Sequence, residues 1–297
     1  MTELLRIAPE VRQRLAEDGA VVALETTLVA HGFPPGVGVE VGCASEAAVR
    51  SEGAVPATVG VLDGAVVVGL GDDELERFGE AGADARKAGP RDLAACVSAG
   101  ELGATTVGGT LAAARLAGIR FMGTGGIGGV HRGFAERPDI SADLAQLART
   151  PALVVSSGIK SLLDVPATAE LLETLGVPVL GYRTDELPLF YSAGGGPPVS
   201  TRVDEPEQAA RTAQGHWELG GAALLLARDP DDGVDVEPLV AEALAAAAAQ
   251  GIYGQGVTPF VLQFLHEHSG GRTLEVNREL IVANARLAAQ VAMATTR

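Results

Sequence analysis

Lysine occurs twice in this chain, at Lys87 and Lys160, and the other twenty of its 22 basic residues are arginine. Arginine serves wherever a fixed cation is enough, but it does not give up its proton inside a protein. Lysine does, and only a neutral amine attacks carbon. Lys160 follows the apolar run Ala152–Ser156 across the short turn Ser157-Gly158-Ile159. Desolvation at the end of a buried strand favours the neutral amine, so Lys160 is a candidate imine-forming nucleophile. Glu25 lies in the apolar run Ala20–Thr27, a setting that raises a carboxyl pKa and keeps a proton to donate; it reads equally as a structural partner for an arginine. Lys87 stands in ARKAGPRDL beside Arg86 and Arg91, a cationic cluster that reads as an anion site or as a solvated loop.

Two further segments carry candidate chemistry. Gly123–Gly133 (GTGGIGGVHRG) satisfies G-x-G-x-x-G after a strand, but no acidic residue closes the next strand, and Ile127–Phe134 is too irregular to begin a helix. A dinucleotide site is therefore disfavoured. A backbone-lined cradle that lets a ligand approach closely is the wider reading, with His131 and Arg132 inside it. In Pro138–Leu144 (PDISADL), Asp139 and Asp143 are four residues apart at a helix start. Two carboxylates there suit a hard divalent ion, and Ser141 with the first-turn N–H groups suits a phosphate. The same residues are also ordinary helix caps, and spacing leaves both readings open.

These residues need a scaffold, and the hydrophobic patterning supplies one. Strand-like runs at 20–27, 57–62, 65–69, 119–123, 152–156, 177–181 and 222–227 alternate with helix-like segments at 37–52, 72–80, 91–98, 105–117, 141–149, 160–175, 203–215 and 236–250. Asp63-Gly64 marks a hairpin. Residues 258–269 and 269–297 read as a helical C-terminus. The pattern predicts an α/β fold, one large domain over 1–297 with a mostly parallel central sheet flanked by helices. In such sheets ligands bind beyond the carboxyl ends of the strands, where Glu25, the Thr124–Gly133 loop, Ser156–Lys160 and Asp185–Glu186 fall. Ser192–Val199 (SAGGGPPV) reads as a mobile loop suited to a lid.

Composition narrows the partners. Of 297 residues 47% are hydrophobic, enough for a large core, and the net charge is −16. No basic cluster offers a face to nucleic acid, whereas a few local cations suffice for one phosphate. Cys43 and Cys96 fit neither a zinc motif nor a disulfide framework. MTELLRIAPE lacks the features of a signal peptide, and the most apolar tract, Val240–Gln250, is too short to span a bilayer. A soluble cytoplasmic protein without nucleic-acid or membrane partners is expected.

Several long motifs, ALETTLVAHGFPPGVG, VPATVGVLDG, ELGATTVGGT, TGGIGGVHRGFAERPDISADL, SSGIKSLLD, GYRTDELPLFYS and NREL-x₃-NARLAA, closely resemble the pseudouridine-5′-phosphate glycosidases, or indigoidine-synthase-A-like family, over about residues 3–295. The resemblance implies reversible cleavage of pseudouridine 5′-phosphate to uracil and ribose 5-phosphate, with Mn²⁺ or another divalent ion and a homotrimeric assembly. It matches Lys160 to the nucleophile, Glu25 to the proton donor and Asp139 to the metal ligand. Lys87, Val107, Ser141, Ala142 and Asp143 match substrate contacts, and Thr124, His131 and Asn284 fall in motifs that line the same pocket.

The chemistry explains these residue types. The bond joins the anomeric carbon to a ring carbon of uracil, so protonating a heteroatom leaving group, as ordinary glycosidases do, does not break it. A route that opens the ribose, joins its anomeric carbon to Lys160 as an imine and passes a proton between Glu25 and the base does. Two alternatives share parts of the site: an imine-forming lyase or aldolase on another sugar phosphate, and a sugar-phosphate-binding protein without catalysis.

Overall fold

The structure, a computed structural model, describes residues 4–295, and of Gln255 only the backbone. The first half of the chain forms β1 (Leu5–Ile7), α1 (Pro9–Ala16), β2 (Val21–Glu25), α2 (Thr27–His31), α3 (Val37–Ser51), β3 (Val55–Leu62) and β4 (Ala65–Val68). There follow α4 (Asp72–Ala81), β5 (Arg86–Ala88), α5 (Leu93–Ala99), β6 (Gly103–Thr105), α6 (Val107–Ala117) and β7 (Phe121–Gly123). The second half holds α7 (Ala142–Leu147), β8 (Leu153–Ser156), α8 (Val165–Thr174), β9 (Val179–Tyr182), β10 (Glu186–Pro188), β11 (Gly195–Pro198) and β12 (Thr201–Val203). It closes with α9 (Pro206–Glu218), β13 (Leu224–Arg228), α10 (Glu237–Ala249), α11 (Val257–His268) and α12 (Arg272–Thr295). The expected C-terminal helix is present, though residues 296–297 lie outside the described range.

One central sheet runs in the order β1-β4-β3-β2-β7-β8-β13-β9-β12, with β6 also on β3 and β5 on β6. Its pairings are parallel except where β3 meets β4 and β6. Strand side chains alternate between two buried faces. Val22, Leu24, Phe121, Val155 and Leu226 face Ala209 and Ala213 of α9 and Ala285 and Ala288 of α12. Val21, Ala23, Met122, Val154 and Leu225 face the opposite way, with Leu111 of α6 and Leu147 of α7 in their cluster. Burial on both faces explains why these strands are apolar throughout and why the sheet is mostly parallel. The expected fold class is the observed one.

Three local expectations are corrected. Lys160 is not on a helix: residues 160–164 are a loop, and α8 begins at Val165, where Asp164 Oδ1 accepts from Ala167 N–H at 3.0 Å. Pro166 falls in the first turn, where its missing N–H costs nothing, so it starts the helix rather than interrupting it. Residues 203–215 do not form one helix. Thr201–Val203 pairs with β9 as an edge strand, and Pro206 opens α9. Ser192–Val199 is in part a strand: Gly195–Pro198 pairs antiparallel with Glu186–Pro188 and lies away from the cavity described below. The short strands β1, β5 and β6 carried no visible periodicity over three residues each.

Candidate active site

Parallel β2, β7 and β8 end side by side, with Leu24 opposite Gly123 and Gly123 opposite Val155. Their carboxyl ends deliver Glu25, Thr124 and the turn that carries Lys160 to one edge of the sheet. Beyond that edge the glycine loop and the Lys160 turn run on together. Ser157 N–H donates to Gly125 O (2.8 Å), Ile127 N–H to Gly158 O (3.2 Å) and Lys160 N–H to Ile127 O (3.2 Å). Gly158 has φ +74°, and a Cβ there would lie 2.1 Å from Pro188 O, so the turn that aims Lys160 admits only glycine. Arg132 braces the same turn from behind: its guanidinium donates to Ser161 O (2.7 Å) and pairs with Glu237 (2.6 Å).

Asp143 is a second organiser. Its Oδ1 accepts from Gly108 N–H at the start of α6 (2.7 Å), and its Oδ2 accepts from Gly128 N–H in the glycine loop (2.9 Å). Gly128 has no room for a side chain, since a Cβ would lie 2.3 Å from Ser141 Oγ. Ser141 caps α7 by accepting from Asp143 N–H at 3.2 Å. Asp139 is placed by an antiparallel bridge between Val130 and Ile140 and by His131 N–H donating to its carbonyl at 3.0 Å. The Asp139 carboxylate then lies 3.9 Å from His131 Nε2.

Two chambers meet at these residues. A polar one of about 290 Å³ is lined by Lys87, His131, Asp139, Ser141, Ala142 and Asp143, with Arg91 and Thr106 also on its wall. A smaller, more apolar one is lined by Leu28, Phe33, Phe190, Leu262 and Ile281, with His31, Asn277, Thr124 and the Gly125-Gly126 backbone. Glu25, Thr27, Lys87, Lys160 and Thr258 line both. Their junction is where a bond between a polar and an apolar fragment would lie.

Burial sets the electrostatics. It pushes the Glu25 carboxyl above its ordinary value, against the opposing influence of Lys160 and the Thr124 hydroxyl. Glu25 is therefore a proton carrier in a dry setting. Burial, helped by Lys160, pulls Lys87 down from 10.5 to about 8. Burial also lowers His131, with Asp139 acting in the other direction.

The structure brings together most of the residues singled out from the sequence, with corrections. Val107 is fully buried at the first position of α6 and lines neither chamber. Asn284 is fully buried behind the glycine loop, donating to Thr124 O (2.8 Å) and Ser157 Oγ (3.2 Å), and so positions the loop. Both oxygens of Asp143 accept backbone N–H groups, so beside lining the polar chamber with Asp139 it ties the glycine loop to α6. The cationic cluster around Lys87 divides: Arg86 turns to Glu101 (2.8 Å) and Asp92 (3.3 Å), and Lys87 alone enters the junction. Asp185 and Glu186 are exposed and outside the cavity, with Asp185 paired to Arg202. Sequence reasoning missed Thr27, His31, Phe33, Asn277 and Thr258. The first three lie in the motif that follows Glu25, and Asn277 opens the C-terminal motif NREL; nothing local distinguishes Thr258.

Among the described residues no three His, Cys, Asp or Glu side chains converge as a metal cage. One carboxylate beside an open polar cavity, as at Asp139, fits a hard divalent ion that keeps most of its waters. No helix is long and apolar enough to cross a membrane among the described residues.

The family model described as indigoidine synthase A like protein matches residues 10–294. A pseudouridine-5′-phosphate glycosidase of Herpetosiphon aurantiacus is 47% identical, over 99% of this chain and 98% of its own. One of Paracoccus denitrificans is 46% identical, over 99% of each. The crystal structure of the prealnumycin C-glycosynthase AlnA in complex with ribulose 5-phosphate is similar with a TM-score of 0.90 and 43% identity, covering 100% of this chain and 98% of that one. An indigoidine synthase A-like protein of Thermotoga maritima gives a TM-score of 0.89 at 34% identity, covering 99% and 97%.

Proposed function

This chain belongs to the indigoidine synthase A like family, and from that premise we propose that it is an enzyme that reversibly cleaves the C–C glycosidic bond of pseudouridine 5′-phosphate to uracil and ribose 5-phosphate. The observation that carries the reading is the junction: Lys160 and Glu25 line both a polar chamber fit for a sugar phosphate and an apolar chamber fit for a planar base.

The steps follow from the residues. The neutral amine of Lys160 attacks the anomeric carbon, the bond from that carbon to the ring oxygen breaks, and a nitrogen proton passes to that oxygen. Glu25, whose burial raises its pKa and so favours the protonated form, gives its proton to the uracil ring carbon. The nitrogen lone pair then forms the imine as the C–C bond breaks, and uracil leaves with its ring electrons restored. Water adds to the imine, Glu25 takes back a proton, and collapse of the adduct frees Lys160 and ribose 5-phosphate. Thr124 holds Glu25 towards the junction. Lys87, Ser141 and Ala142 bind the sugar-phosphate end, where a compact charge and polar groups line the wall.

Manganese belongs to the same proposal. Asp139 would hold it, with His131 beside it and water completing the shell, and its charge would order the phosphate and nearby water. A homotrimer, as the resemblance implies, and a cytoplasmic location, as the sequence features suggest, complete the reading; sedimentation of the purified protein tests the assembly.

The test is release of uracil from pseudouridine 5′-phosphate, with and without Mn²⁺. Borohydride added with ribose 5-phosphate should leave mass on the Lys160 peptide. A Lys160→Ala protein that still releases uracil would remove the covalent step. Ribose 5-phosphate trapping that accepts carbon acids other than uracil in the synthetic direction, and not uracil, would select the lyase alternative.

A further inference from the structure

Two polar side chains in the apolar chamber have no part in the steps above. Asn277, on the inner face of α12, is 2% exposed, and its Oδ1 has no hydrogen-bond partner among the described residues. It lines the chamber with Ile281, one turn further along the helix, and with Leu262 and Phe190. His31, the last residue of α2, lies 2.9 Å through Nε2 from Ala85 O. A carbonyl only accepts, so Nε2 carries the proton and Nδ1 is an acceptor. That Nδ1 is also buried without a partner among the described residues. Burial lowers the pKa of the ring, which is neutral at pH 7.

Buried polar atoms without partners are uncommon and costly. Two residues that carry such atoms line one chamber, and with aromatic and aliphatic walls from Phe33, Phe190, Leu28 and Ile281 they describe a slot for a flat heterocycle with a polar edge. A carboxamide offers a donor and an acceptor side by side, and this holds whichever way the amide is turned. The imide edge of a pyrimidinedione offers the matching alternation of N–H and C=O. His31 Nδ1 adds one acceptor for a ring N–H.

We propose that Asn277 and His31 read the base: Asn277 pairs with the N–H/C=O edge of uracil, His31 accepts from a ring N–H, and together they determine which heterocycle the enzyme takes. The inference rests on the functional reading above and deepens it. These are specificity residues on the base side, separate from the Lys160–Asp139 end that holds the sugar.

The experiment runs the reaction in the synthetic direction, from uracil and ribose 5-phosphate, with Asn277→Leu and His31→Phe. Borohydride trapping of ribose 5-phosphate on Lys160 reports in parallel that the polar chamber is intact. Each variant should raise KM for uracil about ten- to a hundredfold, because a base edge is left unpaired. KM for ribose 5-phosphate and the extent of trapping should stay within twofold. A variant whose uracil KM rises less than tenfold removes its residue from the assignment. Equal rises in both KM values, or loss of trapping in both variants, overturn the proposal, since they give the side chains a structural role. If the unaltered protein traps ribose 5-phosphate yet makes no pseudouridine 5′-phosphate, the functional reading falls and the base assignment falls with it.

Discussion

The hydroxyl of Thr124, the residue after β7, donates to Oε1 of Glu25, the last residue of the neighbouring β2. The parallel register that sets Leu24 opposite Gly123 brings the two residues side by side. It also tunes the acid. Burial raises the Glu25 pKa, and the Thr124 hydrogen bond to its charged form holds that rise in check.

Thr124→Val should therefore move the alkaline limb of the kcat profile to higher pH. The donor must be protonated, and losing the hydrogen bond raises its pKa further. A weaker acid should also lower kcat by about tenfold, within the range that acid catalysis supplies. A pH–rate profile of uracil release checks both; an alkaline limb that stays or moves down would contradict the assignment of Glu25.

Glu25→Gln should abolish turnover yet stabilise the fold at neutral pH. With the folded pKa raised, the unfolded chain loses this proton first as pH rises from about 4.5. The native state then binds more protons than the unfolded one, so stability falls with rising pH until the folded pKa is passed. Glutamine has no charge to bury. Its gain in melting temperature over the unaltered protein should be absent near pH 4 and present at pH 8, by thermal denaturation at both values.

The two lysines should respond differently to arginine. Lys160→Arg should lose both turnover and borohydride trapping, because a guanidinium does not become a neutral nucleophile. Lys87→Arg should keep trapping and raise KM for ribose 5-phosphate, since the position needs a compact charge in a tight junction. Equal damage from the two substitutions would erase the distinction.

Asp143→Asn should destabilise the protein by about 2–3 kcal/mol, the size of one charge-assisted hydrogen bond to a buried partner. The carboxamide keeps one acceptor for Gly108 or Gly128 and turns an NH₂ group towards the other. Denaturant unfolding measures the loss. A rise in KM for ribose 5-phosphate should accompany it, because the glycine loop and the Ser141 cap are no longer tied to α6. An unchanged unfolding midpoint would show that Asp143 contacts substrate rather than holding the loop.

The sequence by itself determined the parts that depend on short stretches of chain. Apolar runs of strand length separated by helical patterning required a parallel sheet with helices on both faces. A scarce amine after a buried strand and a carboxyl inside another marked Lys160 and Glu25 as reactive. Other matters depend on which distant segments become neighbours. Only the packed sheet decided that Asp143 holds two loops through its two oxygens, and that Asn284 supports Thr124 from behind. Only the placement of α11 and α12 against α2 brought His31, Asn277 and Leu262 into one chamber. The spacing of Asp139 and Asp143 was legible, but their direction was not. A side chain's neighbours are fixed by long-range burial and backbone hydrogen-bond demand, and no local pattern encodes them.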